Sequence, residues 1–306
     1  MIENARILVT GGSGQVARPV AEALAARNEV WCLGRFGDAE AELSLKEHGV
    51  RTVHWDMGRD GLADVPKDFT HVLHAAVHRG DGTDFDTTVE ANAVGAARLM
   101  THCRNATAFL YVSSGVVYDR REPRHRYAET DPLAGQAPWL PTYPIAKIAT
   151  EGVVRGLAVT LGLPTIIARL NVAYGPYGHG GLPVLLFRRM LADEPCAVPR
   201  EGQNYCNLLH TDDVVRQVPL LWEAASVPAR VVNWGGDEEV GVTDLLEYMS
   251  RISGVPVKLE PGDRSRETAI FDNTLRRTLI GDCEVPWREG VARTLRDHAP
   301  DVFATA

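Results

Sequence analysis

The sequence predicts an α/β protein built on a doubly wound parallel sheet. Two observations carry this. Short, nearly continuous apolar runs alternate with helical patterns through the first half of the chain, as in a parallel sheet covered on both faces. A glycine cluster, Gly11-Gly12-Ser13-Gly14, stands where the first apolar run meets the first helical pattern.

In chain order, the strands expected are Arg6–Thr10, Glu29–Leu33, Val50–His54, His71–Ala75, Ala108–Ser113 and Thr165–Leu170. The helices between them are expected at Pro19–Arg27, Ala39–Glu47, Thr87–Cys103 and Ile145–Leu161. Thr142 is the natural N-cap of the last of these, and Pro144 suits its first turn. The pattern changes from Pro176 onwards. A glycine-rich loop, Gly175-Pro176-Tyr177-Gly178-His179-Gly180-Gly181, precedes helices expected at Pro183–Leu191, Val214–Ala225 and Thr243–Ser253. Thr211 or Asp212 is expected to cap the second of these rather than bind a metal, and Val231-Val232-Asn233-Trp234 reads as a strand. Trp287 reads as structural.

The 306 residues allow one large or two unequal domains, and 45% hydrophobic with 24% charged residues is an ordinary globular composition. A net charge of −8 disfavours nucleic acid or an anionic membrane as the main partner. No apolar run approaches the ~18 residues of a membrane span, and Met1-Ile2-Glu3-Asn4 does not read as a signal peptide. Five scattered cysteines without a C-x-x-C pair fit a cytoplasmic protein and argue against a disulfide framework or a zinc site.

Ligands of such sheets sit at the carboxyl ends of the strands, so the residues just after each strand matter most. After the first come Gly11, Gly14, Gln15, Val16 and Ala17, the tight turn and helix start that suit a dinucleotide pyrophosphate. After the second come Gly34 and Arg35, with no acid until Asp38. An acid here would bond a ribose 2′-hydroxyl, whereas a guanidinium suits a 2′-phosphate, so NADP is expected ahead of NAD. Asp56 and Met57 follow the third strand, Asp56 as a candidate acceptor for the adenine amine. Ala75, Ala76 and Val77 follow the fourth, small enough to lie against the cofactor, and His74 and His78 read as structural. The fifth ends in Ser113-Ser114, and Tyr143 and Lys147 then lie four apart on one helix face. A neighbouring ammonium lowers a phenol's pKa, which makes Tyr143 a usable acid or base, with Ser114 holding the reacting oxygen.

These residues resemble the extended short-chain dehydrogenase/reductase superfamily, also called NAD-dependent epimerase/dehydratase. The likeness covers nearly the whole chain: Thr10-Gly11-Gly12-x-Gly14-x-x-Ala17, Leu73-His74-Ala75-Ala76, Asn92-x-x-Gly95, Ser113-Ser114-x-x-Val117-Tyr118, Tyr143-x-x-x-Lys147, Arg169 with Tyr174-Gly175-Pro176, and Leu209-His210-Thr211-Asp212-Asp213-Val214. The resemblance implies a Rossmann domain over residues 1–172, with a return segment near 207–235, and a smaller α/β substrate domain over 173–306. It also implies Ser114, Tyr143 and Lys147 as catalytic residues, with Lys147 on the nicotinamide ribose, and Asn92 as a support of the cofactor site from a neighbouring helix. A homodimer through the long helices is the family expectation.

Two departures concern the substrate. The family's R-x-x-N-x-Y-G run has its asparagine one residue early here, as Asn171, and one residue of shift on a strand turns a side chain to the other face. Cys206 stands where a diphosphate-clamping arginine is common, and Arg188, Arg189 and Arg200 are nearby candidates to replace it. Dehydratases carry an Asp-Glu pair after the catalytic hydroxyl, where this chain has Gly115-Val116. Ser114, Val116, Asn171, Arg188 and Cys206 are thus the candidate substrate residues. The reaction expected first is NADPH-dependent hydride transfer to or from a small carbonyl or alcohol. A nucleotide-sugar epimerase is the alternative, and a non-catalytic NADP-binding regulator the minor one.

Overall fold

The structure, a computed structural model, describes residues 2–122, 124–135, 137, 140–262 and 269–304. The first half forms β1 (Arg6–Thr10), α1 (Ala17–Ala25), β2 (Glu29–Gly34), α2 (Ala39–Glu47), β3 (Arg51–His54), β4 (His71–His74), α3 (Phe85–His102) and β5 (Ala108–Ser114). The short β6 (Arg126–Tyr127) is followed by α4 (Thr142–Leu161), β7 (Thr165–Leu170) and β8 (Val172–Tyr174). Then come α5 (Gly181–Leu191), β9 (Cys196–Val198), β10 (Tyr205–Cys206), β11 (Leu208–His210), α6 (Thr211–Glu223) and β12 (Arg230–Trp234). The chain closes with β13 (Val240–Gly241), α7 (Val242–Ser253), β14 (Leu259–Pro261), β15 (Ile270–Phe271), α8 (Thr274–Ile280), α9 (Trp287–His298) and α10 (Pro300–Phe303).

Seven strands form one parallel sheet in the order β12-β7-β5-β4-β1-β2-β3. The order reverses between β1 and β4, which opens a crevice at their carboxyl ends. Alternate residues of β1 serve opposite faces: Ile7 and Val9 pack with Val20 of α1 and Val214, Val218 and Leu221 of α6. Leu8 packs on the other side with Leu99 and Met100 of α3 and Val154 and Ala158 of α4. A separate core under the later helices holds Val184, Phe187, Leu245, Leu246, Val291 and Leu295. β12 falls in the return segment and pairs with β7, Arg230 opposite Ile166 through Trp234 opposite Leu170.

Two caps differ from expectation. Pro141, not Thr142, holds the N-cap position of α4. The Thr142 hydroxyl, already inside the first turn, donates instead to the Arg79 carbonyl at 3.4 Å. At α6 the cap is His210, whose Nδ1 accepts from the Asp212 amide at 3.1 Å. The small parallel pairs β8–β11, β6–β15 and β9–β14 had no reading in the sequence, because strands of two or three residues carry no periodicity. Among the described residues no helix is long and apolar enough to cross a membrane, and no cluster of ligating side chains could hold a metal.

Candidate active site

At the reversal point the backbone after β1 folds onto the exit of β4. Gly14 N–H donates to the Gly11 carbonyl at 2.8 Å and Gly11 N–H to Leu33 at 2.8 Å. Gly11 has φ +83°, and a Cβ there would meet the Ala76 amide at 2.9 Å; one on Gly12 would run into the Cys32 sulfur. The turn therefore tolerates only glycine at both positions. Val16, at the N-cap of α1, gives no side-chain cap, so the first-turn N–H groups face the crevice without a side-chain acceptor. Gln15 is buried, and its Nε2 has no hydrogen-bond partner in the described structure. A narrow glycine cradle, an uncapped helix start and an orphaned buried donor fit the pyrophosphate of a dinucleotide.

The Thr10 hydroxyl ties the two strand exits together: it accepts from Ala76 N–H at 3.1 Å and shares a hydrogen bond with His74 Nδ1 at 2.8 Å. Burial, and secondarily the Lys147 charge, push His74 down to about 3, so it stays neutral and structural. Ala75, Ala76 and Val77 line the β4 exit, half-buried. Asn92, buried on α3, accepts from His78 N–H at 3.1 Å and donates to the His78 carbonyl at 2.8 Å, which fixes this loop from behind. Met57 is buried against Gly95, where a Cβ would lie 3.0 Å from the Met57 carbonyl. Asp56 Oδ1 accepts from Gly58 N–H at 2.9 Å and so holds its own turn. Arg35 is exposed at the end of β2, and Asp38 is engaged as the N-cap of α2, accepting from Glu40 and Ala41 at 3.1 Å.

On β5 the alternation of faces separates two adjacent serines. Ser113 Oγ donates to buried Glu151 at 2.6 Å, while Ser114, on the other face, hydrogen-bonds the Tyr143 phenol. Tyr143, Lys147 and Glu151 follow one another at four-residue spacing along α4. Lys147 Nζ donates to the Val112 carbonyl at 2.7 Å and stands 5.9 Å from the Tyr143 ring centroid. Burial brings Lys147 down to about 7, opposed by Glu151. Tyr143 differs from expectation. Burial raises its pKa, and the groups that pull it back are Ser114 and the Arg79 guanidinium, which lies 5.7 Å from the ring centroid. Arg79 was missed in the sequence. Its signal was a cation two residues past Ala75-Ala76-Val77, the small residues that follow β4.

The substrate-side candidates separate. Val116 is half-buried on the turn capped by Ser114. Arg188 is exposed on α5, and its charge reaches His179 in the glycine-rich loop. Asn171 is committed elsewhere: Nδ2 donates to the Ala269 carbonyl at 2.8 Å and Oδ1 accepts from Asn207 at 3.4 Å. Cys206 is fully buried in the C-terminal core, its thiol toward the Val240 carbonyl at 3.9 Å, so it does not line a cleft. Both side chains hold chain segments together in this structure. Gly115 lies under Phe271: a Cβ there would come within 2.6 Å of the ring.

The parallel sheet, its crevice and the glycine cradle define an extended short-chain dehydrogenase/reductase. Residues 7–235 match the sequence profile of the NAD dependent epimerase/dehydratase family, and the chain belongs to that family. It is 26% identical over 289 residues to UDP-glucuronate 4-epimerase 3 of Arabidopsis thaliana, an alignment that takes in 82% of this chain and 65% of the plant protein. It is 26% identical over 318 residues to the dTDP-glucose 4,6-dehydratase of Streptomyces niveus, covering 95% of this chain and 91% of that one. In three dimensions it is similar to the UDP-glucuronic acid 4-epimerase of Bacillus cereus in complex with UDP-glucuronic acid and NAD, with a TM-score of 0.82, 20% identity and coverage of 98% and 99%. It also resembles the UDP-N-acetylglucosamine 4-epimerase of Methanobrevibacter ruminantium M1, with a TM-score of 0.84, 17% identity and coverage of 98% and 100%.

Proposed function

We propose that this protein is a nucleotide-sugar epimerase that retains its nicotinamide cofactor through the catalytic cycle. The observation that carries this reading is the loop over the cradle. Gly178 packs against the glycine turn, where a Cβ would lie 3.4 Å from Gln15 N, and Arg18 of α1 stands 5.3 Å from the Tyr177 ring. A pyrophosphate held beneath such a loop is enclosed, which suits a cofactor that is reused rather than exchanged. This favours the epimerase over a reductase that must release its cofactor each cycle. Dehydration has less support: Gly115-Val116 bring no acid beside Ser114, and Phe271 fills the space that one would need. NAD named in complex with the structural neighbours supports NAD here, while Gly34 and Arg35 favour NADP.

A nicotinamide cofactor bound over the glycine turn at Gly11 and Gly14, with Lys147 on its ribose, would supply reversible hydride transfer. Tyr143 moves the proton of the hydroxyl on the sugar carbon, and Ser114 orients the same oxygen. Such acid–base assistance is typically worth ~10²–10⁴ in rate. Lys147 positions the ribose and supplies the adjacent charge. The outer faces of α3 and α4, with Val94, Ile145 and Val159 exposed, support a homodimer. The test is incubation with UDP-sugars and catalytic NAD, with products resolved by chromatography. An epimer formed without net cofactor reduction is expected. Stoichiometric NADPH consumption against simple carbonyls would instead establish the reductase.

A further inference from the structure

We propose that Arg79 is a positioning residue of the reaction: its guanidinium is a second cation at the Tyr143 ring and stabilises the phenolate through which Tyr143 accepts a proton. This rests on the reading of Tyr143 as the proton carrier and adds the group that sets its readiness.

The geometry is that of a ring with two cations. The Arg79 guanidinium lies 5.7 Å from the Tyr143 ring centroid, and Lys147 Nζ lies 5.9 Å from it. Arg79 is exposed and makes no hydrogen bond or ion pair through its side chain among the described residues, so no carboxylate there cancels its charge. Its backbone is fixed. The hydroxyl of Thr142, the residue before the phenol, donates to the Arg79 carbonyl at 3.4 Å. Asn92 holds His78 through both backbone groups, at 3.1 and 2.8 Å. On the other side Gly80, at φ +63°, lies so close to α3 that a Cβ would come within 2.5 Å of the Thr88 hydroxyl. The loop that presents the charge is thus tied to the helix that presents the phenol.

Lys147 does not serve the phenol alone. Its Nζ donates to the Val112 carbonyl at 2.7 Å. Burial brings its pKa down to about 7, so its charge fades as the pH rises through neutrality. A guanidinium keeps its charge over that whole range. Burial makes the phenolate costly at Tyr143, and Ser114 and then Arg79 offset that cost. The other groups nearby add no competing cation at neutral pH. Tyr111 of β5 is kept neutral by burial, and Glu151 acts on Lys147 while paired with Arg169. His179 of the glycine-rich loop is held below its usual range by burial and then by Arg79. An opposite charge within about 4–6 Å shifts an ionisation by about 1–3 units, and solvent around an exposed guanidinium leaves the low end of that range. Arg79 itself exchanges no proton. The phenolate takes the proton of the sugar hydroxyl and later returns it, and the charge beside the ring sets the pH at which it can do so.

A difluorotyrosine placed at position 143 brings the phenol's ionisation toward neutral pH and marks it for fluorine NMR. In the protein without substrate, Arg79→Gln should raise that ionisation by about one pH unit, and Arg79→Lys, which restores a cation, should raise it by clearly less. An unchanged ionisation in Arg79→Gln would overturn the proposal. An equal rise in Arg79→Lys would trace the effect to the shape of the loop and overturn it as well. Turnover of UDP-sugars by the NAD-loaded protein judges the epimerase reading separately. Where it is seen, the acid limb of the pH–rate profile should move up by about one unit in Arg79→Gln, so that activity lost near neutrality returns as the pH rises. A loss that is the same at every pH would count against Arg79 and leave the epimerase intact. If wild type inverts no UDP-sugar, the epimerase reading fails by itself, and the NMR titration still decides whether Arg79 acts on Tyr143.

Discussion

Arg169 donates twice to Glu151, from Nε at 3.0 Å and Nη2 at 2.8 Å, and the two side chains keep only 1% and 2% of their surface. This pair ties β7 to α4 one turn beyond Lys147, and Ser113 adds a third hydrogen bond to the same carboxylate at 2.6 Å. Removing the cation strands a buried charge. Arg169→Met should cost about 3–5 kcal/mol of unfolding free energy in urea titrations, and the double variant with Glu151→Gln should recover much of that loss. Additive losses in the double variant would show that the two groups are not coupled.

Lys147 makes stability depend on pH. Its pKa falls from 10.5 in the unfolded chain to about 7 in the folded one, chiefly through burial. Between these values the unfolded state binds the extra proton, so the penalty is fully present below pH 7 and fades as the pH rises through the unfolded value. Lys147→Met should therefore be more stable than wild type near neutrality, by about 1–3 kcal/mol, while losing activity. The gap should close toward alkaline pH in chemical denaturation, and a gap that widens there would contradict the assignment.

Tyr143→Phe removes the phenol proposed as proton carrier and leaves the ring. Turnover should fall by at least about 10², while cofactor titration by fluorescence stays close to wild type. Near-normal turnover in that variant would remove Tyr143 from the chemistry.

Arg35 is exposed at the end of β2, and Gly34 brings no acid there; the proposed reading of a 2′-phosphate by Arg35 is tested by its removal. Arg35→Ala should weaken NADPH binding about tenfold or more and change NADH affinity far less. Equal losses for both cofactors would mean that Arg35 does not read the 2′ position.

Gly11 should accept no side chain. Gly11→Ala forces a positive φ on a residue with a Cβ and drives that atom toward the Ala76 backbone. A loss of about 1–3 kcal/mol is expected, with cofactor affinity lost alongside. Unchanged melting and binding would show that the turn is more yielding than its geometry.

The sheet was legible because its central strands are mostly apolar and buried and its helices are periodic. β1 and β7 run over the same residues as expected, and α2 matches as well. The boundary misses are local: α4 starts at Thr142 rather than Ile145 because Pro141 takes the cap position, leaving Thr142 to bond the Arg79 loop. The surroundings of Asn171 and Cys206 were illegible for another reason. Alignment with a motif says where a side chain sits in the chain, and says nothing of the neighbour that claims it. Ala269 and Val240 claim these two.

What the sequence determined alone was the parallel sheet, the glycine turn and the four-residue step from Tyr143 to Lys147. Each follows from backbone sterics or helical period, which act over a few residues. Only the tertiary structure set Arg79 against Tyr143, Phe271 over Gly115 and Arg169 against Glu151. Those contacts join distant stretches of chain, and packing and electrostatics in a closed fold depend on distance in space, which local spacing does not encode.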